Sequence, residues 1–355
     1  MGRRLLVFGC AAAALLAPAA NALAKTPQLL VRGATATGAS AAMVIDVNED
    51  KADAAPARIS IYLPQGYIAN LGQSPGTQIG TVIASVQPLA LSPDAIAVAG
   101  TILADTPSKY VGNLCAPGTH AAVWLLHLTV QGTIFDVPVY VDRTTAGEAA
   151  FSSAKLVVCF SNPYEQAAPG PRAPFGVKFV ETKVTVGAGV FTNPIVAGSF
   201  VWRALITPWT ANGATENATG AIEAQSIVNI PLSLSLKAKV RTIRHKQHGR
   251  TTVTNSVLLS GKLLEDLRGV AGAKVTFYAN GKTAGSAPTT ASGAFSRRAG
   301  LTKRTALRAT ATVPTRETNC VGQLPASSAP AGCVAATIAG YELSSSTVTA
   351  TPRQR

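Results

Sequence analysis

Short runs of β-branched and aromatic residues, separated by turn-forming residues, recur along most of this 355-residue chain. Such side chains favour strands, whereas Gly, Pro, Asn and Asp favour the turns between strands. No long stretch has the i, i+3, i+4, i+7 apolar spacing of an amphipathic helix. The sequence therefore predicts an all-β fold built of stacked sheets. The predicted strands of the first two thirds are 43–47, 57–63, 78–86, 121–130, 133–141, 155–160, 177–186 and 200–209.

Two β-sandwich units are predicted after a short leader. The first unit covers residues 25–231 and is the larger, and the second covers residues 255–351. Between them, residues 232–254 are strongly basic and form either a linker or the first strand of the second unit. The first unit ends at Ile230-Pro231.

The first 24 residues have the three parts of a secretion signal. Arg3 and Arg4 precede an apolar run at 5–16, and Ala22-Leu23-Ala24 provides the small residues that signal peptidase cleaves after. We therefore expect an exported mature chain that is extracellular or associated with the cell envelope. No later apolar run has the roughly 20 residues of a membrane helix, so no transmembrane anchor is expected.

Removal of the leader leaves four cysteines, and an even number in an oxidising compartment favours disulfides. Four cysteines allow three pairings, and closeness in sequence favours Cys115 with Cys159 and Cys320 with Cys333.

The charge is divided between the two parts of the mature chain. Residues 25–236 carry eleven basic and thirteen acidic residues, whereas residues 237–355 carry eighteen basic and four acidic residues. Lys237, Lys239 and Arg241 alternate with apolar or small residues, which places three cations on one face of a strand. The basic run continues into a turn through Arg244, Lys246 and Arg250.

A positive surface of this kind attracts polyanions. Single-stranded nucleic-acid sites usually add aromatic stacking to charge, and residues 237–250 contain no Phe, Tyr or Trp. We therefore expect anionic polymers of the cell envelope as partners and no nucleic acid. The alternative is a generally basic exported protein without a specific partner.

Part of the second unit resembles a known family of modules. A strand with Gly261, the run Gly272-Ala273-Lys274-Val275 and the turn leading to Gly293-Ala294-Phe295 are similar to bacterial Ig-like and carboxypeptidase-regulatory-like sandwich repeats. The resemblance covers residues 255–312 and implies a non-catalytic spacer or adhesion module. Val270 and Thr290 depart from the pattern, since such repeats often have Pro and Asp there.

The segment Gly72-Gln73-Ser74-Pro75-Gly76 matches the G-x-S-x-G pattern of a hydrolase nucleophile. That site needs the backbone N–H of the residue after the serine and a following helix. Pro75 has no N–H, and a strand pattern follows it. We therefore predict a turn at Ser74 and no catalytic role.

Asp46, Asn48 and Asp50 alternate in the way that calcium ligands do, and Asp53 follows them. Lys51 and Ala57 stand where an EF-hand needs Gly and Glu, which excludes that motif. A looser calcium site and a hydrated turn both remain open.

The row Phe200, Trp202, Ala204 and Ile206 lies on one face of a predicted strand. An exposed aromatic row stacks on sugars, but both faces of this strand are apolar, which favours burial in the core. We accordingly predict no catalytic, cofactor-binding or metal-binding residues. The expected function is that of a non-enzymatic binding or structural protein; the alternative is a secreted carbohydrate-binding protein or hydrolase with its site in the first unit.

Overall fold

A computed structural model describes residues 27–89, 94–130, 132–164, 176–210, 213, 215–325, 327 and 334–353. The predicted leader and Cys333 lie outside these residues. Strands dominate the described chain, and its only helical segments are the short 3₁₀ turns Pro107–Tyr110, Ala146–Ala150 and Ala218–Gly220. The predicted all-β class is confirmed. No helix among these residues is long and apolar enough to span a bilayer.

The first unit is built from thirteen strands. They are β1 Gln28–Arg32, β2 Met43–Asn48, β3 Pro56–Pro64, β4 Ile68–Ala69, β5 Gln78–Gln87, β6 Ile96–Asp105, β7 Ala122–Val130, β8 Thr133–Arg143, β9 Ser152–Cys159, β10 Lys178–Val186, β11 Phe191–Thr192, β12 Gly198–Pro208 and β13 Ile222–Ile230. Each of the eight strands predicted here matches one of these to within three residues.

Most of these strands form one large antiparallel sheet, in the order β1-β2-β10-β5-β6-β7-β8-β9-β3-β12-β13. The sheet curls until β1 lies beside β13, where the backbone N–H of Val31 donates to Ser226 Oγ at 3.0 Å. Alternate side chains point inward because successive residues of a strand face opposite sides. Trp202, Leu29 and Val141 are completely buried in the resulting core.

The second unit has two smaller sheets. Its strands are β14 Leu232–Leu234, β15 Lys237–Gln247, β16 Arg250–Glu265, β17 Arg268–Gly269, β18 Lys274–Ala279, β19 Lys282–Pro288, β20 Ala294–Gly300, β21 Thr305–Val313, β24 Tyr341–Ser344 and β25 Val348–Ala350. One sheet joins β15, β16 and β20, and the other joins β19, β18, β21 and β24. Leu259, Val275 and Phe277 are completely buried between them. The basic segment 232–254 therefore belongs to strands of this unit rather than to a linker.

Residues 316–325 and 334–338, which we call the strap, run from the second unit back to the first sheet. Strands β22 Arg316–Thr318 and β23 Ala336–Ile338 extend that sheet beyond β13, and Gln225 pairs in parallel with Ala336. The strap is fixed by Glu223, whose Oε2 accepts the Leu324 backbone N–H at 2.6 Å. The predicted range 255–351 of the second unit thus includes a segment that pairs with the first.

The cysteines agree with the predicted pairing as far as they are described. Cys115 and Cys159 form a disulfide with Cα atoms 6.3 Å apart, which ties the loop after β6 to the end of β9. Cys320 is also disulfide-bonded.

Candidate anion-binding face

Strands β15 and β16 form a long antiparallel hairpin. Their register runs without a bulge from Lys237 opposite Ser260 to Gln247 opposite Arg250. The two-residue turn consists of His248 and Gly249, whose φ angles are 47° and 72°. Positive φ at both positions is characteristic of the type I′ turn, whose twist matches that of the strands.

The hairpin projects beyond the body of the second unit. Strand β20 pairs with β16 only as far as Gly300 opposite Ser256. From there to the turn the hairpin is a two-stranded ribbon in the described structure, and most of its side chains are exposed. A ribbon without a core of its own can present side chains on both faces.

The register divides the six predicted cations between the two faces. Lys237, Lys239 and Arg241 lie on one face as predicted, opposite Ser260, Leu258 and Ser256. Arg250 lies on the same face, because it pairs with Gln247. We call the side that carries these four cations the outer face, because Val240 and Val257 on the opposite side pack against the core. Arg244 and Lys246 lie on the side opposite the outer face.

Two further cations, Lys262 and Arg298, lie on the outer face and are not predicted from the sequence. Leu258 pairs with both Lys239 and Arg298, so these three residues form one row across β15, β16 and β20. Neighbouring strands are about 4.8 Å apart, which places the Cα atoms of Lys239 and Arg298 about 10 Å apart. Lys262 has the same parity on β16 as Leu258 and is also exposed. Strand alternation turns Phe295 inward and Arg298 outward, so the direction of Arg298 can be read from the sequence. The pairing of β20 with β16, which brings Arg298 next to Lys239, is seen only in the fold.

The cations of the hairpin are not neutralised. All six are exposed, and no acidic side chain of the described residues forms an ion pair with any of them. The acidic residue Glu265 at the end of β16 is engaged elsewhere, because it accepts from Arg316. Among the described residues, these cations are therefore exposed to solvent without an ion-pair partner.

Glu265 lies in a cleft of about 660 Å³ between the two units. Its carboxylate accepts hydrogen bonds from Asn229 Nδ2 at 2.9 Å, from the Tyr341 hydroxyl at 2.6 Å and from Arg316. Burial and the hydrogen bond to Glu265 raise the pKa of Tyr341. These bonds join elements of both units, so the group acts as a structural link.

The suspected calcium ligands are arranged as a turn with an internal cation. Lys178 donates from Nζ to the backbone carbonyls of Lys51, at 2.8 Å, and of Asp53. Asp50 and Asp53 accept backbone N–H groups of the same turn, and Asn48 donates to Asp46 at 3.1 Å. No group of three or more His, Cys, Asp or Glu side chains that could hold a metal ion occurs among the described residues. Hydrogen bonds within the turn thus hold the side chains of Asp46, Asn48, Asp50 and Asp53.

Ser74 lies in a turn, as predicted. Its carbonyl accepts the Thr77 N–H at 3.1 Å, and Gly76 takes a positive φ of 82°.

The two histidines of the first unit pair with aspartates: His120 Nδ1 lies 3.2 Å from Asp142, and its Nε2 lies 3.0 Å from the Ala116 carbonyl. His127 Nδ1 lies 2.7 Å from Asp136 Oδ1.

The aromatic row of β12 belongs to the core. Trp202 has no exposed surface, and its ring contacts Tyr67 edge-on with centroids 5.1 Å apart. The prediction of a buried tryptophan rather than a sugar-stacking one is confirmed.

No protein-family model matches this chain, and no curated protein or solved structure is significantly similar to it. The resemblance of residues 255–312 to Ig-like repeats therefore stays a prediction.

Proposed function

We propose that this protein is an exported, non-enzymatic binding protein that attaches to anionic polymers of the cell envelope through the outer face and ribbon of its second unit. The observation that carries the proposal is the row of exposed cations on β15, β16 and β20, which form no ion pair with an acidic side chain in the described part of the chain.

The spacing of these cations suits a linear polymer. Alternate residues of a strand are about 7 Å apart, so Lys237, Lys239 and Arg241 present charges at a regular interval over about 14 Å. Lys262 and Arg298 widen the charged strip to three strands. A basic residue near an anionic surface contributes about 1 kcal/mol, so several acting together give measurable attachment.

The experiment compares two variants that lose the same charge. The test variant carries K237Q, K239Q, R241Q and R298Q, and the control carries K274Q, K282Q, K303Q and R304Q, all of them exposed cations of the second unit. Binding to dextran sulfate is measured beside binding to uncharged dextran. Both variants keep the same net charge, so only the position of the cations differs.

We expect the test variant to bind dextran sulfate at least about tenfold more weakly than the wild type, with a much smaller loss in the control. Equal losses of affinity in the two variants would show that net charge alone determines binding. That result would contradict binding through the outer face. Equally tight binding of uncharged dextran would favour the carbohydrate-binding alternative.

A further inference from the structure

The projecting part of the hairpin carries two histidines. His245 lies on β15 opposite Thr252, and its parity with Lys239 and Arg241 places it on the outer face. His248 is the first residue of the two-residue turn. Both side chains are exposed. The ribbon therefore contains two groups whose charge changes in the physiological pH range.

No acidic group lies near these two rings in the described structure. The Thr252 hydroxyl donates to the backbone carbonyl of His245 at 3.3 Å, and no side chain of the described residues forms a hydrogen bond or an ion pair with either imidazole. Residues 237–264 contain no Asp or Glu, and neither do β20 and residues 346–353, which lie beside the hairpin. Besides the six cations of the hairpin described above, the charged side chains on these elements are Lys262, Arg297, Arg298 and Arg353.

The other two histidines of the chain lie beside carboxylates. His120 Nδ1 lies 3.2 Å from Asp142, and His127 Nδ1 lies 2.7 Å from Asp136. A proton gained by either of these rings is offset by the negative charge next to it. A proton gained in the ribbon has no such partner among the described residues and adds to the positive charge of the surface.

His245 also lies in a gap between the cations of the outer face. Arg241 and the pair of Gln247 with Arg250 are six residues apart along β15, which is about 20 Å, and Ile243 and Thr254 between them are uncharged. A charge on His245 divides this gap into intervals of about 14 Å and 7 Å. The row of cations then continues from the body of the unit to the tip of the ribbon.

We propose that His245 and His248 make the attachment of the hairpin to anionic polymers pH-dependent, with tighter binding in mild acid. The proposal rests on the proposed function, since it concerns the same surface. An imidazole gains its proton as the pH falls from about 8 to about 5, so each ring adds one positive charge and binding strengthens. As the pH rises again, the charge is lost and binding weakens. The bound polyanion in turn favours the protonated ring, because the coupling of two binding events is reciprocal.

The experiment measures binding of the full chain to dextran sulfate at constant salt from pH 5 to pH 8. Sulfate esters stay ionised over this range, so the charge of the polymer does not change. The test variant carries H245Q and H248N, and asparagine suits the positive φ of 47° at His248. The control variant is H127Q, which removes a histidine from the surface of the first unit.

We expect the wild type and the control to bind up to about 25-fold more tightly at pH 5 than at pH 8, since each added cation contributes about fivefold. The test variant should change by less than about threefold. At pH 5 its affinity should also depend less on salt, with a slope shallower than that of the wild type by up to about two units. The variant H245K keeps its charge at every pH and should bind about fivefold more tightly than the wild type at pH 8.

The outcomes separate this proposal from the proposed function. Binding at pH 8 that does not strengthen at pH 5 would overturn the role of the histidines and leave the outer face as the site of attachment. The same pH dependence in the wild type and the test variant would assign the effect to other groups and would also overturn it. The absence of binding at both pH values would overturn both proposals.

Discussion

Glu265 links the two units through a buried carboxylate. It is 7% exposed and accepts from Asn229 of β13, Arg316 of β22 and Tyr341 of β24. Removing one partner of a buried ion pair costs about 3 to 5 kcal/mol, and the partial exposure of Arg316 (35%) moves the expected value to the lower end. We therefore expect Glu265→Ala to lower the free energy of unfolding by about 3 kcal/mol.

The measurement is urea unfolding followed in two ways. The three tryptophans, Trp124, Trp202 and Trp209, all lie in the first unit, so their fluorescence reports that unit alone. Far-ultraviolet circular dichroism reports the strands of both units. We expect the two transitions to separate in Glu265→Ala, because the substitution removes a link between the units.

Glu342→Ala is the matched control, since Glu342 is exposed and forms no ion pair among the described residues. Glu265→Gln keeps the shape of the side chain and should lose about half as much stability. If Glu265→Ala and Glu342→Ala unfold at the same urea concentration, Glu265 does not link the two units.

Three other predictions concern buried or cross-linked groups. Burial raises the pKa of Glu49 to about 8 from 4.5, so the folded state holds an extra proton between these values and stability falls as pH rises through them, by at most about 1.4 kcal/mol per pH unit. Glu49→Gln should flatten this dependence in urea unfolding measured from pH 5 to pH 8, and an unchanged slope would contradict it. Replacing Cys115 and Cys159 by Ser opens a loop of 44 residues and should cost about 4 kcal/mol in the chain-entropy picture, checked by the denaturant midpoint. Glu223→Ala removes the acceptor of the Leu324 N–H and should lower stability by about 3 kcal/mol; an unaltered unfolding curve would show that the strap is held by other contacts.

Much of the first unit can be predicted from the sequence, because alternation and β-branched residues mark strands directly. The sequence does not predict strand β6, because Ala97, Ala99 and Gly100 are weak strand formers. The fold explains the glycine: a Cβ at Gly100 would lie 2.0 Å from the carbonyl oxygen of His127. A close approach between neighbouring strands is not visible in a sequence.

The strap could not be predicted either, because its pairing joins Gln225 to Ala336, more than a hundred residues away. Glu223 and Gln225 resemble surface residues in the sequence, yet each is only 2% exposed beneath the strap. The candidate site shows the same limit. Alternation placed Lys239 on one face of β15, but Arg298 joins that face only through the register of β16 and β20.

Salt dependence is the sharpest measure of whether the outer face binds through charge. Affinity for dextran sulfate, measured over a series of NaCl concentrations, should fall linearly on a double-logarithmic plot as counterions compete. Each contacting cation contributes about one unit to the slope, so the variant lacking Lys237, Lys239, Arg241 and Arg298 should have a slope shallower by up to about four units. An affinity that does not change with salt, or the same slope in both proteins, would contradict binding through this face.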